Sequence, residues 1–384
     1  MFFPSSTGAA VSYALVSSAY AIAFIVILYG LWQFGASEAA IIYCALPILM
    51  VLGFFTIVGA LDDVRLAKFG IYAAMGAMFC VRWKPSPLLA RTPELAIISS
   101  VNIFLGAAVL LGWPPVTSTV ARFYSVFFDG LVAQMMDLHK PVLTFGSHAP
   151  AAFFLYCFYW LNIRTFQVVG SRLHLGFAIG HAALCAALLS HASFVFAGLA
   201  IAELSWLLAK RSIVTALALA GVLFFAVPRI ATALDPYLTS WSELGNSARR
   251  AVAFVWTEQA GGIGGRFGTG GDMASAIQLI KDRPFLPIGI STKTGELTLG
   301  DSGPIEYMVR GSVPLLILIY LGLWFFLKAH LRRWTAIRMF GCIVAMESGF
   351  AILTYQRTIL LLPAFVAYLA ALDRLGDEKN LERV

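Results

Sequence analysis

Charge is what this 384-residue sequence has least of: Asp, Glu, Lys and Arg make up only 12% of it. A soluble domain carries about a quarter. With 60% hydrophobic residues, the chain cannot cover a water-facing surface. It can satisfy a bilayer, whose interior is itself apolar. The net charge of +7 is not gathered into the basic cluster that nucleic acid needs. The basic residues sit mainly in short loops between apolar runs, where they set topology. Cysteine chemistry is absent too. Cys44, Cys80, Cys157, Cys185 and Cys342 fall in or beside apolar runs, and no CxxC or Cys/His ligand spacing appears. They read as small buried hydrophobes. Nothing repeats at a fixed period, which argues against a solenoid and against an inverted duplication.

What is abundant is the apolar run of about 20 residues, the length that crosses ~30 Å of hydrocarbon. Candidate spans lie at 9–33, 38–60, 66–82, 96–113, 149–168, 173–190, 192–209, 212–228, 303–328, 334–353 and 358–374. The first is too long, and too poorly flanked by basic residues, for a cleaved signal peptide. The run at 66–82 is short and charged at both ends. The expectation is one all-α transmembrane domain over 1–384, a bundle of about 10–12 spans. Lys210 and Arg211, Arg164 and Arg172, and Lys328, Arg332, Arg333 and Arg338 mark three junctions that are consistently cytoplasmic. The tail at 373–384 is then cytoplasmic, and 114–148 and 229–301 are external. The amino-terminal side is left open, because Arg82, Lys84 and Arg91 favour the cytoplasm while the third run upsets the parity.

The 229–301 loop is long enough to build a site. Within it, DMASAIQLIKDR (272–283) places Met273, Ile277 and Ile280 on one face of a helix. Asp272 is the candidate N-cap and Pro284 the stop. Ahead of it, the glycines around Arg266 permit close backbone approach to a ligand. GGRFG is no P-loop, since no GK[ST] follows. The loop also carries Arg249, Arg250 and Lys281. Arg offers a planar fork matched to phosphate oxygens, so this density of charge suits a lipid phosphate or diphosphate. For any single charge, a solvated loop is the simpler explanation. The other external loop carries Lys140 as a phosphate contact and His148 as a polar group at a span entrance; the alternative is a routine interfacial loop. His139 and His148 are too far apart for a helical metal pair. Arg357, just before the last run, is a further basic candidate for substrate binding. Asp301 opens the span at 303 and is either a general base or a helix N-cap, with Glu306 and Arg310 following along the helix. His174, His181 and Glu347 lie deep in spans, where an ionisable group is functional or bonds between helices.

Three stretches carry a resemblance. GGRFGTGGDMASAIQLIKDRPFLPIGIS (264–291), DSGPIEYMVRGSVPLLILIYLGL (301–323) and KPVLTFGSHAPAAFF (140–154) resemble, in order and spacing, segments of the O-antigen ligase and polymerase (Wzy-type) membrane glycosyltransferases. The match spans roughly 140–375. The resemblance implies transfer of a glycan from a polyprenyl diphosphate carrier to an acceptor hydroxyl, on the outer face of the bacterial inner membrane. It makes Arg266 the family's external arginine. Ligases usually present a His-Asn pair where this sequence has Asp301 and Ser302, so the resemblance favours a polysaccharide polymerase over a ligase. The expected partners are a polyprenyl-diphosphate-linked glycan, membrane lipids, a flippase and a chain-length regulator, with no nucleic acid. No cofactor is expected, and no DxD-like metal pair is evident in the outer loops. Arg266 would stabilise the departing diphosphate and Asp301 would serve as base. The competing readings are a lipid-linked oligosaccharide transporter and a non-catalytic export subunit.

Overall fold

A computed structural model describes residues 13–36, 74–124, 135–210, 273–285 and 302–381. Its elements are α1 (Tyr13–Phe34), a 3-10 turn (Pro87–Arg91), α2 (Glu94–Leu110), α3 (Pro114–Tyr124), α4 (His148–Val169), α5 (Arg172–Ala187), α6 (His191–Ala209), α7 (Ala274–Asp282), α8 (Gly303–His330), α9 (Arg333–Glu347) and α10 (Gln356–Leu381). Residues 74–80 are also helical. No strand occurs among the described residues beyond one isolated bridge between Ala36 and Val81. Three helical stretches are long and apolar enough to cross a membrane: Pro87–Leu110, Gly303–His330 and Arg357–Glu378. Large apolar side chains such as Phe104, Ile179, Val195 and Ile317 are exposed along the helices. That surface suits lipid and not water, and with the three long helices it marks a membrane protein.

The sequence explains where each helix sits. α4, AAFFLYCFYWLNI in its middle, is apolar all round and is buried from Pro150 to Ile163. Such a helix belongs in the centre, and α5, α6 and α10 pack around it. α2 lies against α5, where Gly106 and Gly180 leave room for Leu184 and Ile103. Small residues at such crossings let helices approach closely. Polar side chains inside the packing find one another. Asn162 donates to Ser99 Oγ at 2.8 Å, His174 Nδ1 donates to Asn162 Oδ1 at 2.7 Å, and Asn102 Nδ2 meets His181 Nε2 at 3.5 Å. His174 and His181 therefore serve as bonds between helices, one of the two roles the sequence allows them.

The packed helices have two distinct ends. At one, Arg164 pairs with Asp373 at 2.9 Å, Arg332 pairs with Asp377, and Arg374 donates to the Pro85 carbonyl at 2.8 Å. This is the basic end. α4 closes there on Gly170, in the left-handed conformation (φ 83°) that glycine tolerates at a helix C-terminus. The 82–91 segment lies at the same end as Arg164, Arg332 and Arg374. The opposite end, the loop end, gathers 139–148, 348–355 and the start of α8.

Two sequence expectations shift. The run at 334–353 is a shorter helix that stops at Glu347, and 348–355 turns back into the molecule with Ile352 and Leu353 buried. The long helix α8 is interrupted: Gly311 (φ −140°, ψ 16°) and Ser312 (φ 61°, ψ −170°) are non-helical, and Pro314 follows. Proline cannot donate its backbone nitrogen to a helix, so a break here costs fewer bonds. The Val313 N–H, freed by the break, donates to the Pro284 carbonyl at 3.3 Å.

Candidate functional site

The loop end is where charge is buried. Glu306, Arg310, Glu347 and Arg357 are all nearly inaccessible there, in a chain where charge is scarce. Each is held by a local feature of the sequence. Glu306 and Arg310 are four residues apart on the first segment of α8, so they share a face, and Arg310 Nε donates to Glu306 Oε1 at 2.9 Å. Glu347 ends α9, and its Oε1 accepts from the Leu353 N–H at 2.7 Å. Its carboxylate also abuts Gly303, where a Cβ would collide with it.

Arg357 differs from these. It lies in the first turn of α10, 6% exposed. Its guanidinium faces the rings of Tyr124 and Phe145, at 5.3 and 5.6 Å from their centroids. Its Nε and Nη1 have no hydrogen-bond partner, and no carboxylate pairs with it among the described residues. Rings stabilise a cation modestly, by about 0.5–2 kcal/mol, which is less than a buried charge needs. Tyr124 is no counter-ion: burial raises its hydroxyl pKa above the ordinary value, against the pull of Arg357, so it stays neutral. The surroundings are rigid. Phe145 stacks on Phe154 at 4.7 Å, and the Tyr355 hydroxyl donates to the Phe145 carbonyl at 2.7 Å. Two of its nitrogens have the geometry to donate to an anion.

The other sequence candidates fall as follows. Lys140 and His148 are half-buried at the same loop end. The segment between them is not a solvated rim, because Val142, Leu143 and Phe145 are fully buried. It brings Phe145 to Arg357, so the loop contributes an aromatic wall as well as its polar residues. His139 Nδ1 lies 3.3 Å from the Val109 carbonyl and is structural. Lys281 is exposed on the polar face of α7 and is not drawn into the buried cluster. The apolar face of α7 does pack as its spacing implies: Met273 and Ala276, with Ile277 and Ile280, meet Ile305 and Val309 of α8. The cap of α7 falls on Met273 instead of Asp272. The cap of α8 falls on Ser302, which makes no side-chain capping bond. Arg266, Asp301, Arg249 and Arg250 lie outside the described residues, so the expected proximity of Arg266 to Lys140 and His148 does too.

Arg338, grouped by sequence with the junction residues, is instead bound inside the packing. It donates to Glu203 Oε2 at 2.6 Å and Oε1 at 2.8 Å, and to the Tyr156 hydroxyl at 2.8 Å, and lies 4.4 Å from the Trp160 ring centroid. Its charge is satisfied, which makes it a clasp between α6, α9 and α4. Sequence reading gave Arg310 and Tyr124 no site role. For Arg310 the signal was present, as a charge inside an apolar run; for Tyr124 there was none. No group of His, Cys, Asp and Glu that could hold a metal occurs among the described residues. No family model, curated protein or solved structure matches the chain.

Proposed function

We propose that this chain is a membrane glycosyltransferase that polymerises polyprenyl-diphosphate-linked oligosaccharide repeat units into a cell-surface polysaccharide. The observation that carries the reading is Arg357: a buried guanidinium with unused donors, at the end of the molecule away from the basic junctions. A lipid diphosphate entering from the bilayer supplies the missing anion, and the resemblance of 140–154, 264–291 and 301–323 supplies the reaction. In this reading the basic end faces the cytoplasm of a bacterial inner membrane, and the loop end faces outward.

The chemistry follows from charge. The acceptor hydroxyl attacks the anomeric carbon of the lipid-linked glycan, the bond from that carbon to the diphosphate oxygen breaks, and negative charge grows on the departing diphosphate. Fixed donors aimed at that charge lower the barrier. Arg357 is one such donor and Arg266 another. Asp301 takes the proton from the acceptor.

The test is glycan length and protein abundance for three variants in one strain. Arg266→Ala and Arg357→Ala are expected to cut polymer by ~10²–10³-fold at normal abundance, as the loss of a positioned donor does. Asp301→Asn is expected to insert normally and lose turnover. Asn caps a helix about as well as Asp, so full-length polymer from that variant removes Asp301 from the mechanism. Normal polymer from both arginine variants overturns the reading itself.

A further inference from the structure

Glu347 belongs to no helix pair and to no ion pair shorter than 4 Å among the described residues, yet it is fully buried. A carboxylate is not placed there without purpose, because burying it costs heavily unless its oxygens are used. Its two sides touch different parts of the loop end. On one side, Oε1 accepts from the Leu353 N–H at 2.7 Å. Leu353 lies in the 348–355 turn, four residues before Arg357. On the other side, the carboxylate abuts Gly303, the first residue of α8, and the Tyr307 hydroxyl lies beside it.

The start of α8 needs such a group. Its N-cap, Ser302, makes no side-chain capping bond. Pro304 has no N–H to offer, and the helix N-terminus carries partial positive charge that a carboxylate complements. Glu347 Oε2 lies against this terminus and has no hydrogen-bond partner among the described residues, so the contact is one of packing and charge, made from another helix. That choice has a consequence. The same carboxylate touches the first residue of the segment that carries Glu306 and Arg310, which follows directly on Asp301 in sequence, and bonds to the turn that leads to Arg357.

We infer that Glu347 is a positioning residue that ties the acceptor side of the site, at the start of α8, to the diphosphate side, at Arg357. The functional half of this inference rests on the glycosyl-transfer reading; the tie itself does not. Gly303 is the other half of the contact, since only a residue without Cβ admits the carboxylate. The neighbouring charges are Glu306 and Arg310, already paired with each other at 2.9 Å, so they do not replace it.

Hydrogen exchange on the full-length protein in lipid nanodiscs tests the tie directly. In Glu347→Ala, amides in both 303–311 and 350–358 are expected to exchange roughly tenfold faster, as the loss of a buried bond implies, with α4 and α5 unchanged. In Glu347→Gln the amide oxygen still accepts from Leu353, while its NH2 meets the α8 terminus, so only 303–311 is expected to loosen. Gly303→Ala is expected to disturb the same two segments and to be relieved when combined with Glu347→Ala. Unchanged exchange in either segment of Glu347→Ala, or a rise throughout the molecule, overturns the tie. In a polymerisation assay of the same preparations, Glu347→Gln is expected to lower kcat with little change in KM for the lipid-linked donor, because the Arg357 turn keeps its bond. If the exchange pattern appears and even the wild type makes no polymer, the tie stands and the glycosyl-transfer reading falls. If the wild type polymerises and Glu347→Gln matches it in kcat, the positioning role is overturned.

Discussion

A buried guanidinium is costly to keep without an anion, and Arg357 has none among the described residues. An arginine retained for packing would be paired; one retained for a ligand need not be. The difference is measurable. Replacing an unpaired buried charge by an apolar side chain of similar length is neutral or stabilising, by up to a few kcal/mol. Arg357→Met is therefore expected to melt at or above the wild-type temperature while polymer is lost. A large drop in melting temperature would instead make Arg357 a structural residue. The contrast is Arg338, whose loss would leave Glu203 with the Tyr159 hydroxyl but without its cation. Arg338→Met is expected to lower the melting temperature, because it removes a bidentate pair that is largely shielded from solvent. Sequence placed Arg338 at a cytoplasmic junction and Arg357 among the substrate-binding candidates, but it could not show what either one touches. Position in an apolar run is visible in one dimension, whereas a ring from residue 145 or a carboxylate from residue 203 is not.

At the level of the element, α7 and α8 work as one piece. Spacing alone revealed the α7 face, because a repeat of three and four residues is a property of the sequence. What it could not show is the partner face, Ile305 and Val309 of α8, because a contact between two helices is not written in the spacing of either. Ala276 sits fully buried in that contact. Ala276→Asp would bury an unpaired charge, so α7 is expected to undock, and tryptic cleavage after Lys281 should accelerate. Unchanged cleavage would place α7 on the surface. The α8 break was legible only in part. Gly311 and Pro314 are breaker residues, but Ser312 at φ 61° and ψ −170° adopts a conformation that favours glycine and costs a non-glycine residue about 1–3 kcal/mol. Ser312→Gly is accordingly expected to raise stability by ~1 kcal/mol, read as a higher melting temperature. A lower one would mean that the Ser312 hydroxyl has a role in holding the kink.

For the whole molecule, composition established an all-helical chain suited to a membrane, and basic residues gave the ends. The amino-terminal parity was open because the run at 66–82 is weak by hydropathy. Among the described residues, helix 74–80 runs into Val81 and Arg82, and the 82–91 segment meets Arg374 at the basic end. Cysteines introduced at Leu88 and Phe285, both well exposed, are expected to label from opposite sides in a cysteine-free background. Phe285→Cys should react in cells whose inner membrane is intact, and Leu88→Cys only after it is permeabilised. Labelling of both from one side would break the orientation.

The chemistry itself answers to a simpler measurement. Purified protein in nanodiscs is mixed with a lipid-linked repeat unit, and products are sized over time beside the Arg357→Met variant. Glycans growing by whole repeat units, with free lipid diphosphate released in step and neither seen with the variant, are the expected result. Unaltered repeat units after prolonged incubation with folded wild-type protein, or elongation that the variant matches, would contradict it.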